Sequence, residues 1–243
     1  MKYALQLLGT LLTICFLNAC SSIFKDTNCT EGAGDVITEE RTFNSSIQQV
    51  YLGASANVFV TQGTEQKVTI QAQANLIALL NLTVVNQELR IEFKDNHCIR
   101  NSTINIFVTT PTINKVTLAG SGNIEGQNTW DALNLEAIIS GSGNLKATVK
   151  STEIKSSLEG SGNIILSGNT QKQSLRLTGS GNYQNFGLAS EQTTVNLTGS
   201  GNVEVQASQT LNVTISGSGN VAYKGSPTIT QSITGSGKIS NAN

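Results

Sequence analysis

The tetrapeptide Gly-Ser-Gly-Asn recurs along the second half of the chain at intervals too even to come from composition. Copies begin at Gly120, Gly141, Gly160, Gly179, Gly199 and Gly217, and a seventh at Gly235 ends in Lys238. The starts are 21, 19, 19, 20, 18 and 18 residues apart. A fixed period of this size marks stacked supersecondary units. The flanks repeat as well. Alternating segments precede the tetrapeptide (Val116-Thr117-Leu118, Leu175-Arg176-Leu177, Val195-Asn196-Leu197, Val213-Thr214-Ile215), and an apolar residue follows it (Ile124, Leu145, Ile164, Tyr183, Val203, Val221, Ile239). Period-2 alternation describes half-buried strands, and no 3.6-residue stripe occurs past Gly120. Each unit therefore reads as a strand, a corner, a second strand and a looser return such as Gln206–Thr210.

A two-strand unit cannot bury its own apolar face, whereas stacked units bury it against one another. The first glycine of each copy, and the second (Gly122, Gly143, Gly162, Gly181, Gly201, Gly219, Gly237), suit a corner that needs positive φ or close approach between coils. The asparagines (Asn123, Asn144, Asn163, Asn182, Asn202, Asn220) tolerate the left-handed region and can bond to their equivalents one coil away. The expectation is an all-β chain forming a β-solenoid with 18–21-residue coils and an amide ladder along one edge. At ~4.8 Å between strands, seven coils span about 34 Å.

Composition narrows the function. Charged residues are 13% of the chain, against ~25% in ordinary globular proteins. Uncharged polar residues take their place, with 25 Asn beside 23 Gly. A net charge of −1 offers no electrostatic footprint for nucleic acid. With His97 the sole histidine, a multi-histidine metal site or a His-based triad is hard to assemble, and no metal or cofactor is expected.

The N-terminus reads as an address. Met1-Lys2 is followed by an apolar run to Leu17 and then Asn18-Ala19-Cys20. The run is short of the ~20 residues a spanning helix needs, and the pattern describes a secretory signal. A cysteine directly after Ala19 resembles a bacterial lipoprotein signal over residues 1–19, with Cys20 as the lipidated residue. Ordinary cleavage after Ala19 is the alternative. Ser21 in place of Asp implies outer-membrane sorting in lipoproteins of this kind, and residues 20–35 read as a flexible tether. Cys29 and Cys98 then remain as candidates for a disulfide in an oxidising compartment, or as two free thiols.

Residues 36–118 read as a β-rich part with divergent coils or a cap, and 119–243 as the regular solenoid. Ser55-Ala56-Asn57-Val58 is a degenerate corner, and Asn75–Leu80 suits a single helical turn. The blocks Phe43–Phe93, Ile106-Phe107-Val108-Thr109-Thr110-Pro111 and the Gly-Ser-Gly-Asn repeats resemble the DUF2807 family, also described as the "putative auto-transporter adhesin, head GIN domain", over roughly residues 36–238. The resemblance implies a pectin-lyase-like β-helix without conserved catalytic residues, in exported bacterial proteins associated with adhesion. An autotransporter also carries a membrane barrel of outward-apolar strands, and nothing after Gly235 reads that way.

Enzyme chemistry on such a solenoid needs carboxylates close together. Past Gly120 the acids are Glu125, Asp131, Glu136, Glu153, Glu159, Glu191 and Glu204. Glu125 and Glu204 lie four coils apart, or ~19 Å, while Lys146 sits one coil from Glu125 and suits an ion pair. Asp95 and His97 read as a polar loop. Gly235-Ser-Gly-Lys238 lacks the remaining residues of a phosphate loop, and the coils lack the carboxylates and short period of calcium-binding repeats. A mostly hydroxyl column (Ala119, Ser140, Glu159, Thr178, Thr198, Ser216, Thr234) suits either a glycan or plain solvent.

The sequence thus reads as a lipid-anchored, non-enzymatic adhesion or ligand-binding protein of the bacterial envelope. Its expected partners are the membrane through the lipid and a glycan or cell-surface protein. The alternatives are a polysaccharide lyase or hydrolase, and a structural or stress-related protein without ligand. An unpaired edge on the last coil would need a cap at Ser240–Asn243 or self-association, for instance as a trimer.

Overall fold

The computed structural model describes residues 29–94 and 97–243. Ten strands and one helical turn precede the Gly-Ser-Gly-Asn coils: β1 (Cys29–Thr30), β2 (Val36–Arg41), β3 (Gln49–Leu52), β4 (Asn57–Gln62), β5 (Lys67–Gln73), α1 (Ala74–Ile77), β6 (Leu80–Val85), β7 (Glu88–Phe93), β8 (Cys98–Ile99), β9 (Asn105–Thr110) and β10 (Lys115–Leu118). Five long strands follow, β11 (Asn123–Gly141), β12 (Asn144–Gly160), β13 (Asn163–Gly179), β14 (Asn182–Gly199) and β15 (Asn202–Gly217). The last coil is built from β16 (Asn220–Lys224), β17 (Thr228–Gly235) and β18 (Lys238–Asn241). The fold is an all-β solenoid of parallel coils.

Register is set by the apolar alternation. From β10 to β15 one inward column runs Leu118, Ile139, Leu158, Leu177, Leu197, Ile215, and another beyond the strand breaks runs Ile124, Leu145, Ile164, Tyr183, Val203, Val221. All of these are buried, each contributing roughly 1.5–3 kcal/mol in area terms. A one-residue slip would turn both columns outward, so the pattern holds the pairing in place.

The unequal repeat lengths are absorbed at defined points. Between β11 and β12 the partner spacing falls from 21 residues (Asn123 with Asn144) to 19 (Thr129 with Thr148). Between β13 and β14 it rises from 19 (Ile164 with Tyr183) to 20 (Gly168 with Leu188). That second shift disturbs the ladder near Leu166, and the buried Asn185 side chain accepts the Leu166 N–H at 2.9 Å. A side-chain amide thus satisfies a backbone donor that would otherwise be orphaned. Gln206–Thr210 is not a loose return. β15 runs through it, because Ala207 is buried and β14 supplies backbone partners at Ser190 and Gln192.

The first coils are stacked out of sequence order. β3 and β4 lie directly on β10 and β11, and β7 and β9 lie on the other side of β3 and β4. The chain therefore builds its second coil, loops outward to build the first, and returns beneath the second to continue. The outer edge of that first coil is then covered by antiparallel strands, β6 on β7 and β5 on β9, with β2 on β5. The other end differs. Among the described residues β17 pairs only with β15 and β18 only with β16. The tail ties back through Ala242 N–H to Tyr223 O (2.8 Å) and through the Asn243 amide to Gly225 (2.8 and 2.9 Å), leaving β17 exposed along its length.

Candidate ligand-binding groove

A groove of about 720 Å³ runs beside the bend of β11, lined on one side by Gln62, Thr112, Asn114 and Lys115 and on the other by Asp131–Glu136, Glu153 and Lys155. A second depression of about 550 Å³ shares Asp131, Ala132 and Leu133 and continues over Ser151, Thr170 and Glu191. Leu133 projects between them at 73% exposure. Gln62 fixes the bend: its Nε2 donates to the carbonyls of Pro111 and Asp131, both at 3.1 Å, and its Oε1 accepts the Asp131 N–H at 2.6 Å. Asn128 closes the same contact from the other side, exchanging two hydrogen bonds with the Gln62 backbone.

The charges of the groove are mutually paired. Lys115 reaches Glu136 at 2.9 Å, Lys150 reaches Asp131 at 3.7 Å, and Lys155 reaches Glu153 at 3.4 Å. Lys146 sits 3.6 Å from Glu125 one coil away, as the spacing suggested. Exposed pairs such as these add little stability. They leave a polar channel with many donors and acceptors, which suits a hydroxylated ligand. Among the described residues no group of three or more His, Cys, Asp or Glu is placed to hold a metal ion.

The tetrapeptides stack directly. Eight asparagines form one ladder: Asn105, Asn57, Asn123, Asn144, Asn163, Asn182, Asn202 and Asn220, the Nδ2 of each after Asn105 donating to the Oδ1 of the one before it at 2.7–3.2 Å. Lys238 follows Asn220 in register and ends it. The degenerate Ala56-Asn57 segment joins this ladder. Asn105 joins it too, although no Gly-Ser-Gly precedes it. The signal was present in the matched strings Asn57-Val-Phe-Val-Thr and Asn105-Ile-Phe-Val-Thr. The glycine requirement is steric: a Cβ on Gly143 would lie 2.0 Å from the Gly122 carbonyl oxygen, and one on Gly219 2.3 Å from that of Gly201. The first glycines, from Gly160 to Gly235, add positive φ of 115–133°.

Other singled-out residues are scattered. The hydroxyl column is in register from Ser140 to Thr234 and faces outward. Trp130 and Tyr183 are fully buried, the latter in the inward column that follows the tetrapeptides. Trp130 donates to Val60 O, and Tyr183 to Arg176 O at 3.0 Å; burial pushes the Tyr183 phenol above its ordinary pKa. Cys29 and Cys98 oppose each other across β1 and β8 with Cα atoms 4.5 Å apart, within disulfide span. Glu31 pairs with Arg100 at 2.8 Å, so the chain is already docked within the stretch read as a tether. Cys20 and Asp95 lie outside the described residues. His97 Nδ1 donates to Lys94 O.

The comparisons agree with this architecture. The family model "Putative auto-transporter adhesin, head GIN domain" (DUF2807) matches residues 47–227. A crystal structure of a "putative adhesin" from Bacteroides fragilis is 25% identical with a TM-score of 0.83, covering 87% of this chain and 99% of that one. A "putative lipid binding protein" from Parabacteroides distasonis is 26% identical with a TM-score of 0.74, covering 88% and 99%. A "putative adhesin" from Parabacteroides merdae shares the fold at 20% identity and a TM-score of 0.70, covering 89% and 100%. No curated protein matches the sequence. With three-quarters of its length inside the family model, the chain belongs to the DUF2807 family, described as "Putative auto-transporter adhesin, head GIN domain".

Proposed function

We propose that this protein is a lipid-anchored, non-enzymatic adhesion module of the bacterial envelope that holds a glycan in the groove beside Leu133. The observation that carries the reading is the groove itself, lined by amides and charged groups with its acids engaged by lysines, in a chain whose family and structural relatives are named adhesins. Retention without chemistry needs many weak donors and acceptors along a polymer, and the groove offers amides, hydroxyls and balanced charges. The same reading takes the Gly-Ser-Gly-Asn segments as the corners of a pectin-lyase-like β-helix. It takes Cys29–Cys98 as a disulfide formed after export, and Cys20 as the lipidated residue holding the solenoid at the outer membrane.

Two experiments test it. Cys20→Ser should move the protein from the membrane to the soluble fraction; unchanged membrane attachment would remove the anchor. The full-length chain, purified in detergent, should retain envelope or host polysaccharides saturably and return them at their original chain length. Shortened products would instead support the lyase or hydrolase alternative and direct attention to Asp131, Glu136 and Glu153.

A further inference from the structure

Two aromatic rings stack on a part of the outer face that shares no residue with the groove. Of the five described phenylalanines, Phe43 and Phe93 pack against the core and Phe186 lies under the Lys224 ammonium at 4.7 Å. Phe59 and Phe107 alone stack on each other, with centroids 5.1 Å apart and planes 20° from parallel. Both alternate with buried residues (Val58 and Val60, Ile106 and Val108), so both rings stand on the outer face, and Phe107 is 37% exposed. Their position is in register with Glu125 of the next coil.

That register puts Glu125, not a third ring, at the next step of the aromatic column. Phe107 covers one face of Phe59. On the other side, where a third ring would continue the stack, stands Glu125, whose carboxylate reaches toward Lys146 of the following coil at 3.6 Å. A depression of about 250 Å³ results, lined by Asn57, Val58, Phe59, Asn123 and Glu125. Its chemistry has two parts. Phe59 supplies an apolar, electron-rich ring face. The two asparagines and the carboxylate supply donors and acceptors at its rim. A ring face with several polar groups converging on its rim can both stack on and orient a small polar ligand.

We infer that this depression binds one neutral pyranose unit of a glycan, which packs against the Phe59 ring while its hydroxyls bond to Glu125 and the ladder amides. The C–H face of a pyranose matches the ring, and its equatorial hydroxyls match the rim. Charge selects against acidic sugars: Glu125 lines the depression, Lys146 is already engaged with it, and on the far side of the rings Lys67 is paired with Glu40 at 2.8 Å. The inference rests on the reading of the chain as a glycan-binding module, but places a contact outside its groove.

The test is native electrophoresis of the full-length chain, in detergent, through gels containing laminarin, mannan or xylan, with polygalacturonate as the acidic comparison. The parent should be retarded by a neutral polymer. Phe59→Leu should weaken that retardation about two- to tenfold, the range of an aromatic contact. Phe59→Tyr should preserve it, and Glu125→Ala, which alters only a surface group, should weaken it with the melting temperature unchanged. Retardation that survives both Phe59→Leu and Glu125→Ala but is lost on Glu153→Ala would overturn the platform while leaving the groove reading in place. A parent retained by polygalacturonate alone would overturn the neutral-sugar assignment, and one retained by no polymer would overturn the glycan reading together with the platform.

Discussion

The two halves of this solenoid solve the same stacking problem by different means. From Asn123 to Gly217 each coil pairs in parallel with the next one in sequence, and only β11, the first of them, also meets the irregular half, through β4 and β10. Between Val36 and Leu118 the stack is assembled out of order, and antiparallel strands close its outer edge. The glycines follow that division. In the regular half a Cβ on the second glycine of each copy meets backbone of the preceding coil, as Gly162 would meet the Gly143 oxygen at 2.1 Å. In the irregular half Gly53 would meet only side chains of Tyr51 and Glu92, at 3.0 and 3.4 Å, and Ala54 and Ala56 occupy the equivalent bend. Glycine is demanded where one bend sits squarely on another, not by the bend alone. The asparagine ladder, in contrast, crosses both halves without a break.

The largest effect should fall on the irregular half. With the proposed Cys29–Cys98 bridge closing a span of 69 residues, Cys98→Ser should lower stability by about 4 kcal/mol in the chain-entropy model. Amide exchange should rise first in β2, β5 and β8, with the long strands still protected; equal loss of protection in both halves would show that they unfold as one unit. Next, Gly143→Ala should cost about 3 kcal/mol, because the clash is with backbone, whereas Gly53→Ala should stay within about 1 kcal/mol. Similar melting temperatures for the two variants would break the distinction. The ladder should ignore the boundary: Asn163→Ala and Asn57→Ala each delete two amide bonds, and both should cost about 1–2 kcal/mol in chemical denaturation.

The smallest effect is a pH limb confined to the regular half. Tyr183 is an acid kept neutral by burial, so its folded pKa lies above the ordinary value of 10.0. Its contribution is complete below that value and is lost as pH climbs toward the raised one, since unfolding then releases a proton the fold retains. Denaturation followed between pH 9 and 11.5 should show declining stability in the parent and a shallower decline in Tyr183→Phe.

The regular half was legible because one short-range device, the tetrapeptide, repeats with its flanks and fixes strand, break and inward column together. The irregular half was legible only as strands. Asn105 sits 48 residues from its ladder partner Asn57, and the intervening segment carries its own antiparallel pairing. Nothing in local alternation orders those coils, although the paired Asn-x-Phe-Val-Thr strings mark which strands meet. The groove was illegible for a similar reason. Gln62, Pro111 and Asp131 converge across 49 and 69 residues, and the only trace of the bend in sequence is the 21-residue interval after Gly120. The aromatic pair was hidden likewise, since stacking depends on a register that the repeat count does not reveal.

The out-of-order stack is the claim on which ladder, groove and aromatic column all depend, and cross-linking tests it most directly. Neighbouring in-register strands bring Cα atoms to about 4.8 Å, inside disulfide range. Oxidation of a chain carrying Asn57→Cys and Asn123→Cys should join those two residues, and so should Asn57→Cys with Asn105→Cys, each read as a linked peptide by mass spectrometry. The pair Asn105→Cys and Asn123→Cys, separated by the intervening coil, should stay unlinked. Efficient linkage of residues 105 and 123, with none from 57 to either, would contradict the account.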